Sequence, residues 1–248
     1  MLRQEVGAGE RLLFISDLHL CESRPATTAA FLAFLGDEAR HCDQLFILGD
    51  LFEYWIGDDD DRPLAVAVAA ALAGLHGDGV GIRFMAGNRD FLIGAGYAER
   101  AGLSVLADPC LLHCGNDRLL LMHGDSLCVD DLAYQAVRVQ LRDPDWQRHF
   151  LAQPLSERRQ QARQAREMSR QATAEKAETI MDATPSAIES AIAAAGCSVL
   201  IHGHTHRPAR HHHVVGGRDV TRWVLADWHE QATYLAWQHG SATAVGPG

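Results

Sequence analysis

The feature that most constrains the fold is an alternation of short apolar runs with helical segments in the first half of the chain. Apolar runs at 11–17, 44–50 and 81–88 each end in polar residues, and segments 27–40 and 63–75 between them carry apolar residues at helical spacing. Such a strand–helix–strand repeat is typical of a largely parallel sheet that is buried on both faces. The sequence therefore predicts an α/β fold.

The pattern changes in the second half of the chain. Residues 110–125 read as two strands around a Gly-Asn-Asp turn, and 127–195 are almost wholly helical. Residues 209–238 return to strands joined by a Gly-Gly turn, which predicts a second sheet packed on the first. We expect one core formed by 1–126 and 196–248, with a helical insertion at 127–195.

Composition excludes several classes of protein. The net charge of −10 argues against a nucleic-acid binder with a broad basic surface. No apolar run approaches the roughly 20 residues of a membrane span, and the first residues lack the pattern of a signal peptide. The six cysteines are scattered and form no CxxC pair, which favours core residues in a reducing cytoplasm.

Basic residues are concentrated in the helical insertion of this acidic chain. They are Arg158, Arg159, Arg163, Arg166, Arg170 and Lys176. This run is either a solvated helical face or a surface that binds anions. The acidic run Asp58–Asp61 is either a solvated turn or a partner for one of these basic residues.

Polar side chains stand at the ends of five apolar strands. They are Asp17, His19, Asp50, Asn88, His123, His204 and His206. Each taken singly has an ordinary structural role as a turn, a cap or a core histidine. Because ligand sites in α/β sheets lie beyond the carboxyl ends of the strands, we expect the seven to share one edge of the molecule.

The stretch SVLIHGHTHRP, 198–208, carries three histidines at alternating positions after an apolar run. Strand alternation places His202, His204 and His206 on one face, and a divalent cation is the usual reason to gather imidazoles. Histidines 211–213 are adjacent, so their rings alternate between faces, and we expect them on a strand surface.

The residue types select a class of metal. The set contains imidazole, carboxylate and amide oxygen but no thiolate, which suits Mn²⁺, Fe²⁺, Co²⁺ or Zn²⁺. Seven ligands exceed one tetrahedral site, whereas two ions that share a carboxylate use them all. Two such ions can clamp a phosphoryl group and activate water as a nucleophile.

The order of these motifs carries a resemblance to a known family. DLH, GDLFE, GNRD, HGD and GHTH occur in the order found in the calcineurin-like metallophosphoesterase superfamily. The longer stretches GDLFEYWIGDD, GNRDFL, HGDSLCVDDLAYQ, IHGHTHRP and EKAETIMD resemble more closely the pyrophosphatase family that cleaves UDP-2,3-diacylglucosamine in lipid A biosynthesis.

The resemblance implies a four-layer αββα sandwich with an inserted helical lid. It also implies hydrolysis of the pyrophosphate to UMP and 2,3-diacylglucosamine 1-phosphate (lipid X) by a hydroxide that two metal ions, expected to be Mn²⁺, activate. The expected protein is a monomer, cytoplasmic and peripherally associated with the cytoplasmic face of the inner membrane. Its partners are the lipid substrate and the membrane surface, without nucleic acid.

The resemblance also assigns roles to residues. One ion is expected on Asp17, His19, Asp50 and His206, and the other on Asp50, Asn88, His123 and His204. The catalytic set comprises Asp50, Asn88, Arg89, His123 and His204, with Arg89 on phosphate oxygens and the proton donor left open among the histidines. The substrate contacts comprise Asn88, Arg89, Asp131, Tyr134, Arg166, Ser169, Thr173, Lys176, His204 and His229, with Trp55 expected on an acyl chain. Thr173 stands where this family has Asn, which alters one contact.

Two alternatives stay open on the residues alone. Another metallophosphoesterase, acting on nucleotides or phosphoproteins, would use the same metal ligands. A non-catalytic scaffold that binds metal is expected to have lost one or more ligands, whereas all seven are present here.

Overall fold

The computed structural model describes residues 2–175 and 180–246, with the backbone alone at 2, 170 and 173–175. In this part of the chain the strands are β1 (Leu2–Val6), β2 (Leu12–Ile15), β3 (Gln44–Leu48), β4 (Gly81–Met85), β5 (Leu103–Leu106), β6 (Cys110–Cys114), β7 (Asp117–Leu121), β8 (Val199–His202), β9 (Ala209–Val215), β10 (Arg218–Val224), β11 (Tyr234–Gln238) and β12 (Ser241–Val245). The helices are α1 (Pro25–Gly36), α2 (Pro63–Gly77), α3 (Ala95–Ala101), α4 (Leu132–Leu141), α5 (Pro144–Leu151), α6 (Leu155–Glu175) and α7 (Pro185–Ala195).

The strands form two sheets of six. The first has the order β12-β11-β2-β3-β4-β5 and the second β1-β6-β7-β8-β10-β9. Strands β2 to β5 are parallel neighbours, as the strand–helix repeat predicts. One expectation is corrected: β11 pairs antiparallel with β2 in the first sheet instead of extending the second. The reason is packing, because Leu235 and Trp237 of β11 are buried in the core between the sheets.

Three apolar layers hold the sandwich together. Helices α1 to α3 cover the outer face of the first sheet through residues such as Phe31 and Leu72. Phe14, Phe46 and Ile201 pack between the sheets, and α7 covers the second sheet through buried residues such as Ile192. Each fully buried side chain of this size contributes roughly 1.5–3 kcal/mol. The predicted four-layer αββα sandwich is confirmed.

The helices begin where the sequence predicts. Pro144 and Pro185 occupy the first turns of α5 and α7. The Asp143 carboxylate accepts hydrogen bonds from the backbone N–H groups of Asp145 and Trp146, which otherwise lack helical partners. Asp131 caps α4 in the same way by accepting from the N–H of Tyr134.

The helical insertion is tied to the core by its basic run. Arg158 is only 3% exposed, forms an ion pair with Asp59 and donates to the carbonyl oxygen of Ile56 at 2.5 Å. Arg159 pairs with Asp61. Asp58–Asp61 therefore serves the second of the two predicted roles, as a partner for basic residues. Helix α7, the last of the segment 127–195, packs on the second sheet as an outer layer of the core.

The six cysteines are buried and unpaired, as their scattered positions predict. Among the described residues, no helix combines the length and hydropathy that crossing a bilayer requires.

Candidate metal centre

Polar side chains gather where strands of both sheets end. Asp17 follows β2 and Asp50 follows β3, while His123 follows β7 of the other sheet. Asn88 comes after β4, and His204 and His206 come after β8. The two sheets thus meet at one edge, and the seven predicted ligands come from both of them.

One half of this cluster surrounds Asp17. The Nε2 atoms of His19 and His206 are 3.2 Å apart, and Asp17 Oδ1 lies 3.4 Å from Nε2 of His206. Asp50 Oδ2 lies 3.7 Å from Nε2 of His19. Asp17 Oδ1 is fully buried and has no hydrogen-bond partner among the described residues. Because an unpaired buried carboxylate oxygen is costly, a cation among these atoms fits the site well.

The other half surrounds Asn88. Its Oδ1 lies 3.0 Å from Nε2 of His123 and 3.1 Å from Nδ1 of His204. Asp50 Oδ1 lies 3.8 Å from Nε2 of His123. Asp50 thus directs one oxygen to each half of the cluster. This geometry fits two divalent cations that share one carboxylate, and the mixture of nitrogen and oxygen donors fits such ions.

The backbone at five of these residues is left-handed. The φ angles are 56° at Asp17, 49° at His19, 53° at Asp50, 68° at His204 and 52° at His206. Non-glycine residues in this conformation cost about 1–3 kcal/mol each and persist only where the surroundings hold them. The chain turns sharply as each strand ends, and this turn directs the side chain to the shared edge.

Glycines beside the ligands leave room for this convergence. A Cβ at Gly87 would lie 2.1 Å from Asp50 Oδ1, and one at Gly203 would lie 2.2 Å from Asp17 Oδ2. Both separations are shorter than any tolerable contact. The glycines of GNRD and GHTH therefore bring the backbone close to the carboxylates.

Asp90 holds two of the loops together. Its buried carboxylate accepts from the N–H of Leu51 at 2.7 Å, Gly87 at 2.9 Å and Asp50 at 3.3 Å. Burial and then the nearby Asp50 raise the pKa of Asp90 to about 7. Asp90 belongs to GNRD but is absent from the predicted site, because a strand-end position does not tell a positioning carboxylate from a ligand.

Within the cluster, the pKa of His206 is raised, whereas the pKa values of His204 and Asp17 are lowered. Burial acts to lower the pKa of His206, but the adjacent carboxylates of Asp17 and Asp227 outweigh it and raise that pKa to about 10. Burial and the neighbouring His123 lower the pKa of His204 to about 4. Burial opposes ionisation of Asp17, yet the adjacent His206 and the other nearby imidazoles hold its pKa below the usual value. The site therefore balances buried negative and positive charge within a few ångströms.

A cavity of about 540 Å³ opens beside the cluster. The predicted residues that line it are His19, Asp50, Asn88, Arg89, Asp131, Tyr134, Ser169, His204 and His206. Arg89 donates to the hydroxyl of Ser169 on α6 at 3.4 Å, and the Tyr134 ring lies 5.8 Å from that of His204. Helices α4 and α6 thus form one wall of the cavity, and the predicted metal ligands form the other.

Other predicted residues lie elsewhere. Trp55 is buried in the core against Phe52 and Tyr97, apart from the cavity. His229 is 74% exposed and lies 3.2 Å from Asp227, also outside the cavity lining. Arg166 pairs with Glu53, beside His19. Lys176 and the side chain of Thr173 lie outside the described residues.

The expectation that His202, His204 and His206 share one face is wrong. Strand β8 ends at His202, and the left-handed backbone at His204 and His206 breaks the alternation that the prediction assumed. His202 is fully buried on the other side, with Nε2 3.0 Å from the guanidinium of Arg222. Histidines 211–213 lie on β9, as predicted.

Asp125 was missed by the sequence analysis, although the HGD motif contains it. Its Oδ2 accepts from the Tyr134 hydroxyl and from Nε of Arg138, each at 2.8 Å. It thereby joins α4 to the loop that carries His123. The sequence does not indicate this contact, because Arg138 belongs to no recognisable motif and meets Asp125 only in the folded chain.

Comparisons with known proteins point to one family. Residues 10–208 match the family model described as Calcineurin-like phosphoesterase. The chain is 55% identical over 225 residues to a protein named UDP-2,3-diacylglucosamine hydrolase from Aromatoleum aromaticum, covering 91% of this chain and 92% of that protein. Relatives with the same name from Stenotrophomonas maltophilia and Cellvibrio japonicus are 51% and 52% identical, each covering 90% of this chain and 93% of the relative.

Proposed function

The chain belongs to the calcineurin-like phosphoesterase family, and from that premise we propose that it hydrolyses the pyrophosphate bond of UDP-2,3-diacylglucosamine. The products are UMP and 2,3-diacylglucosamine 1-phosphate, and the reaction is a step of lipid A biosynthesis. Relatives at 51–55% identity over most of both chains carry the name of this hydrolase, which supports the substrate. The reaction class is supported by the ligand geometry.

The observation that carries the proposal is the position of Asp50 between two sets of donors. Its Oδ2 lies 3.7 Å from His19 and its Oδ1 lies 3.8 Å from His123. Asp17 and His206 complete one set, and Asn88 and His204 the other. Two divalent cations, proposed to be Mn²⁺, would when bound supply Lewis-acid activation of the phosphoryl group and of water.

Arg89 is the residue best placed to bind the substrate phosphates. Its side chain lines the cavity next to Asn88, and its own N–H donates to Asp50 Oδ1 at 2.9 Å. A guanidinium offers a planar set of donors that matches phosphoryl oxygens. We assign Arg89 to the orientation of the pyrophosphate and to stabilisation of charge on it as the bond breaks.

The far wall of the cavity suits an apolar ligand. Val137 of α4 and Ala165 and Met168 of α6 line it, and Met168 is 64% exposed. On the other face of α4, Leu132 and Val139 are seven residues apart and form a second, exposed apolar surface. We propose that the acyl chains lie along this wall and that the surface rests on the cytoplasmic face of the inner membrane. The proposed enzyme acts there as a monomer.

The proposal is tested by hydrolysis of UDP-2,3-diacylglucosamine in ¹⁸O-labelled water with Mn²⁺. We expect UMP and diacylglucosamine 1-phosphate, with one ¹⁸O in a single product that identifies the attacked phosphorus. UDP-glucose is the matched substrate without acyl chains, and its turnover should be far slower. Equal turnover of both substrates would favour a general nucleotide phosphoesterase, and an intact lipid would overturn the proposal.

A further inference from the structure

Two carboxylates stand behind the histidines at the Asp17 end of the site. His19 and His206 face each other through Nε2, 3.2 Å apart. Behind them, Glu53 Oε2 lies 3.3 Å from Nδ1 of His19, as an ion-pair contact outside hydrogen-bond geometry, and Asp227 Oδ2 lies 3.3 Å from Nδ1 of His206. Neither carboxylate belongs to the predicted ligand set. Both lie on the side of the ring that faces away from the ligand cluster.

This arrangement matters because an imidazole has two nitrogens. A neutral histidine that binds a cation through Nε2 carries its proton on Nδ1. A carboxylate beside Nδ1 selects that tautomer, restrains the ring and makes Nε2 a stronger donor. We propose that Glu53 and Asp227 are positioning residues that prepare His19 and His206 as a pair for one divalent cation. This inference rests on the proposed two-cation hydrolysis.

The other half of the site lacks this feature among the described residues. Nδ1 of His123 lies 2.9 Å from the carbonyl oxygen of Leu48, a neutral acceptor. Nδ1 of His204 instead faces Asn88 Oδ1, at 3.1 Å. The Asp17 end therefore has a carboxylate at Nδ1 of each imidazole, whereas Asp125, the buried carboxylate near His123 and His204, contacts Tyr134 and Arg138 instead. It follows that the two cations bind unequally, with the tighter one on Asp17, His19 and His206.

Glu53 has a second partner that must be separated from its contact with His19. Its Oε1 pairs with the guanidinium of Arg166 on α6, and both side chains are about a quarter exposed, at 24% and 27%. Glu53 could thus matter only because it holds α6 against the core. The two roles predict different effects, because removal of Arg166 breaks the tie to α6 and leaves the carboxylate beside His19.

Asp227 also has two contacts, with His206 and with His229, that can be tested separately. Its Oδ2 lies 3.2 Å from Nε2 of the exposed His229 as well as 3.3 Å from His206. Removal of His229 takes away the second contact and leaves the first. If Asp227 acts on the cation site, its own replacement weakens cation binding and the replacement of His229 does not.

The test is calorimetric titration of Mn²⁺ into the metal-free protein. Glu53→Gln and Asp227→Asn each keep the size of the side chain and remove its charge. We expect each to weaken one of two Mn²⁺ sites by ten- to a hundred-fold and to leave the other unchanged. Arg166→Ala and His229→Ala, the matched controls, should bind both Mn²⁺ ions as the wild type does.

The outcomes separate this inference from the proposed function. Wild-type Mn²⁺ binding by Glu53→Gln and Asp227→Asn, or equal weakening in Glu53→Gln and Arg166→Ala, would overturn the positioning role. If Glu53→Gln does not fold, the comparison of Asp227→Asn with His229→Ala decides the question. A wild-type protein that binds two Mn²⁺ ions unequally but leaves the lipid intact would overturn the function and support the inference.

Discussion

Single residues in the site are held in a left-handed backbone conformation that residues other than glycine rarely adopt. Asp50 has a φ of 53°, and its position is maintained because Asp90 accepts hydrogen bonds from the N–H groups of Asp50 itself and of Leu51. Five of the seven predicted ligands have this left-handed backbone. The stability of the core thus maintains local strain that places donors within about 3–4 Å of one another.

Removal of Asp50 tests the shared-carboxylate assignment. Asp50→Ala should lower turnover at least about a thousand-fold, since two cations contribute several kcal/mol of transition-state stabilisation. Circular dichroism should report a native fold. The exposed Asp78→Ala is the matched control and should keep full turnover. Near-normal hydrolysis by Asp50→Ala would contradict the assignment.

The buried carboxyl group of Asp108 should make the free energy of unfolding depend on pH. Burial and then Asp125 raise its pKa to about 6, and neither carboxylate oxygen has a hydrogen-bond partner among the described residues. The folded state therefore binds this proton more tightly than the unfolded state does, so the stabilisation is present at acid pH and is lost as pH rises through about 6.

Asp108→Asn should remove this dependence. The free energy of unfolding at pH ~8 should rise by about 1–3 kcal/mol relative to the wild type, with a smaller difference near pH ~5. Urea denaturation at both pH values measures it, and the exposed Asp130→Asn serves as the control. The same difference at both pH values would contradict the raised pKa.

At the scale of elements, helix α6 is attached to the core near its first turn and contacts the candidate metal centre further along. Near its first turn Arg158 is buried and paired with Asp59. Two turns further on, Arg166 pairs with Glu53, and Ser169 accepts from Arg89. The helix therefore positions cavity-lining side chains relative to the predicted metal ligands, and the basic run attaches the helix to the core.

Arg158→Ala tests the anchor. It removes hydrogen bonds to the carbonyl oxygens of Ile56 and Gln153, each worth about 1.5–3 kcal/mol for a charged donor. Amide hydrogen exchange should become faster in 155–175 and stay unchanged in the sheets. Arg163→Ala, at an exposed position on the same helix, should behave as the wild type. Unchanged exchange in Arg158→Ala would refute the anchoring role.

Arg166→Ala tests recognition by the same helix. If Arg166 mainly binds substrate phosphate or sugar, KM should rise about ten-fold or more while kcat changes little. Steady-state kinetics with the diacyl substrate measures both quantities. A fall in kcat at constant KM would instead place Arg166 in the chemical step.

At the scale of the whole molecule, the site exists only where two sheets meet. The first sheet supplies Asp17, His19, Asp50 and Asn88, and the second supplies His123, His204 and His206. Neither sheet alone carries a complete set of donors. A cation bound here links the two halves of the sandwich and should stabilise the folded state as a unit.

Metal binding should therefore raise the melting temperature. A free Mn²⁺ concentration 100 times the dissociation constant stabilises the fold by about 2.7 kcal/mol, which corresponds to roughly 5–10 °C for a chain of this size. Thermal denaturation with Mn²⁺ and with a chelator measures the shift. Asp50→Ala should show a much smaller one. An equal shift in that variant would contradict a site built around Asp50.

Much of the architecture followed from the sequence. The strand–helix repeat predicted the parallel α/β sheet, because apolar spacing reports which faces are buried, and the family resemblance implied the αββα layers. The proline-marked starts of α5 and α7 were also predictable, since capping is local. The order of the DLH, GDLFE, GNRD, HGD and GHTH motifs was sufficient to predict the family, which is confirmed.

The tertiary structure alone decided how the side chains are arranged. It turned His202 away from His204 and His206, placed Trp55 in the core, and paired β11 with β2. It also brought Glu53 to His19 and Asp227 to His206. The physical reason is the distance in sequence over which each feature is determined. A sequence pattern reports neighbours along one strand or helix. A left-handed turn or a charge pair is determined by packing between segments that are distant in the chain.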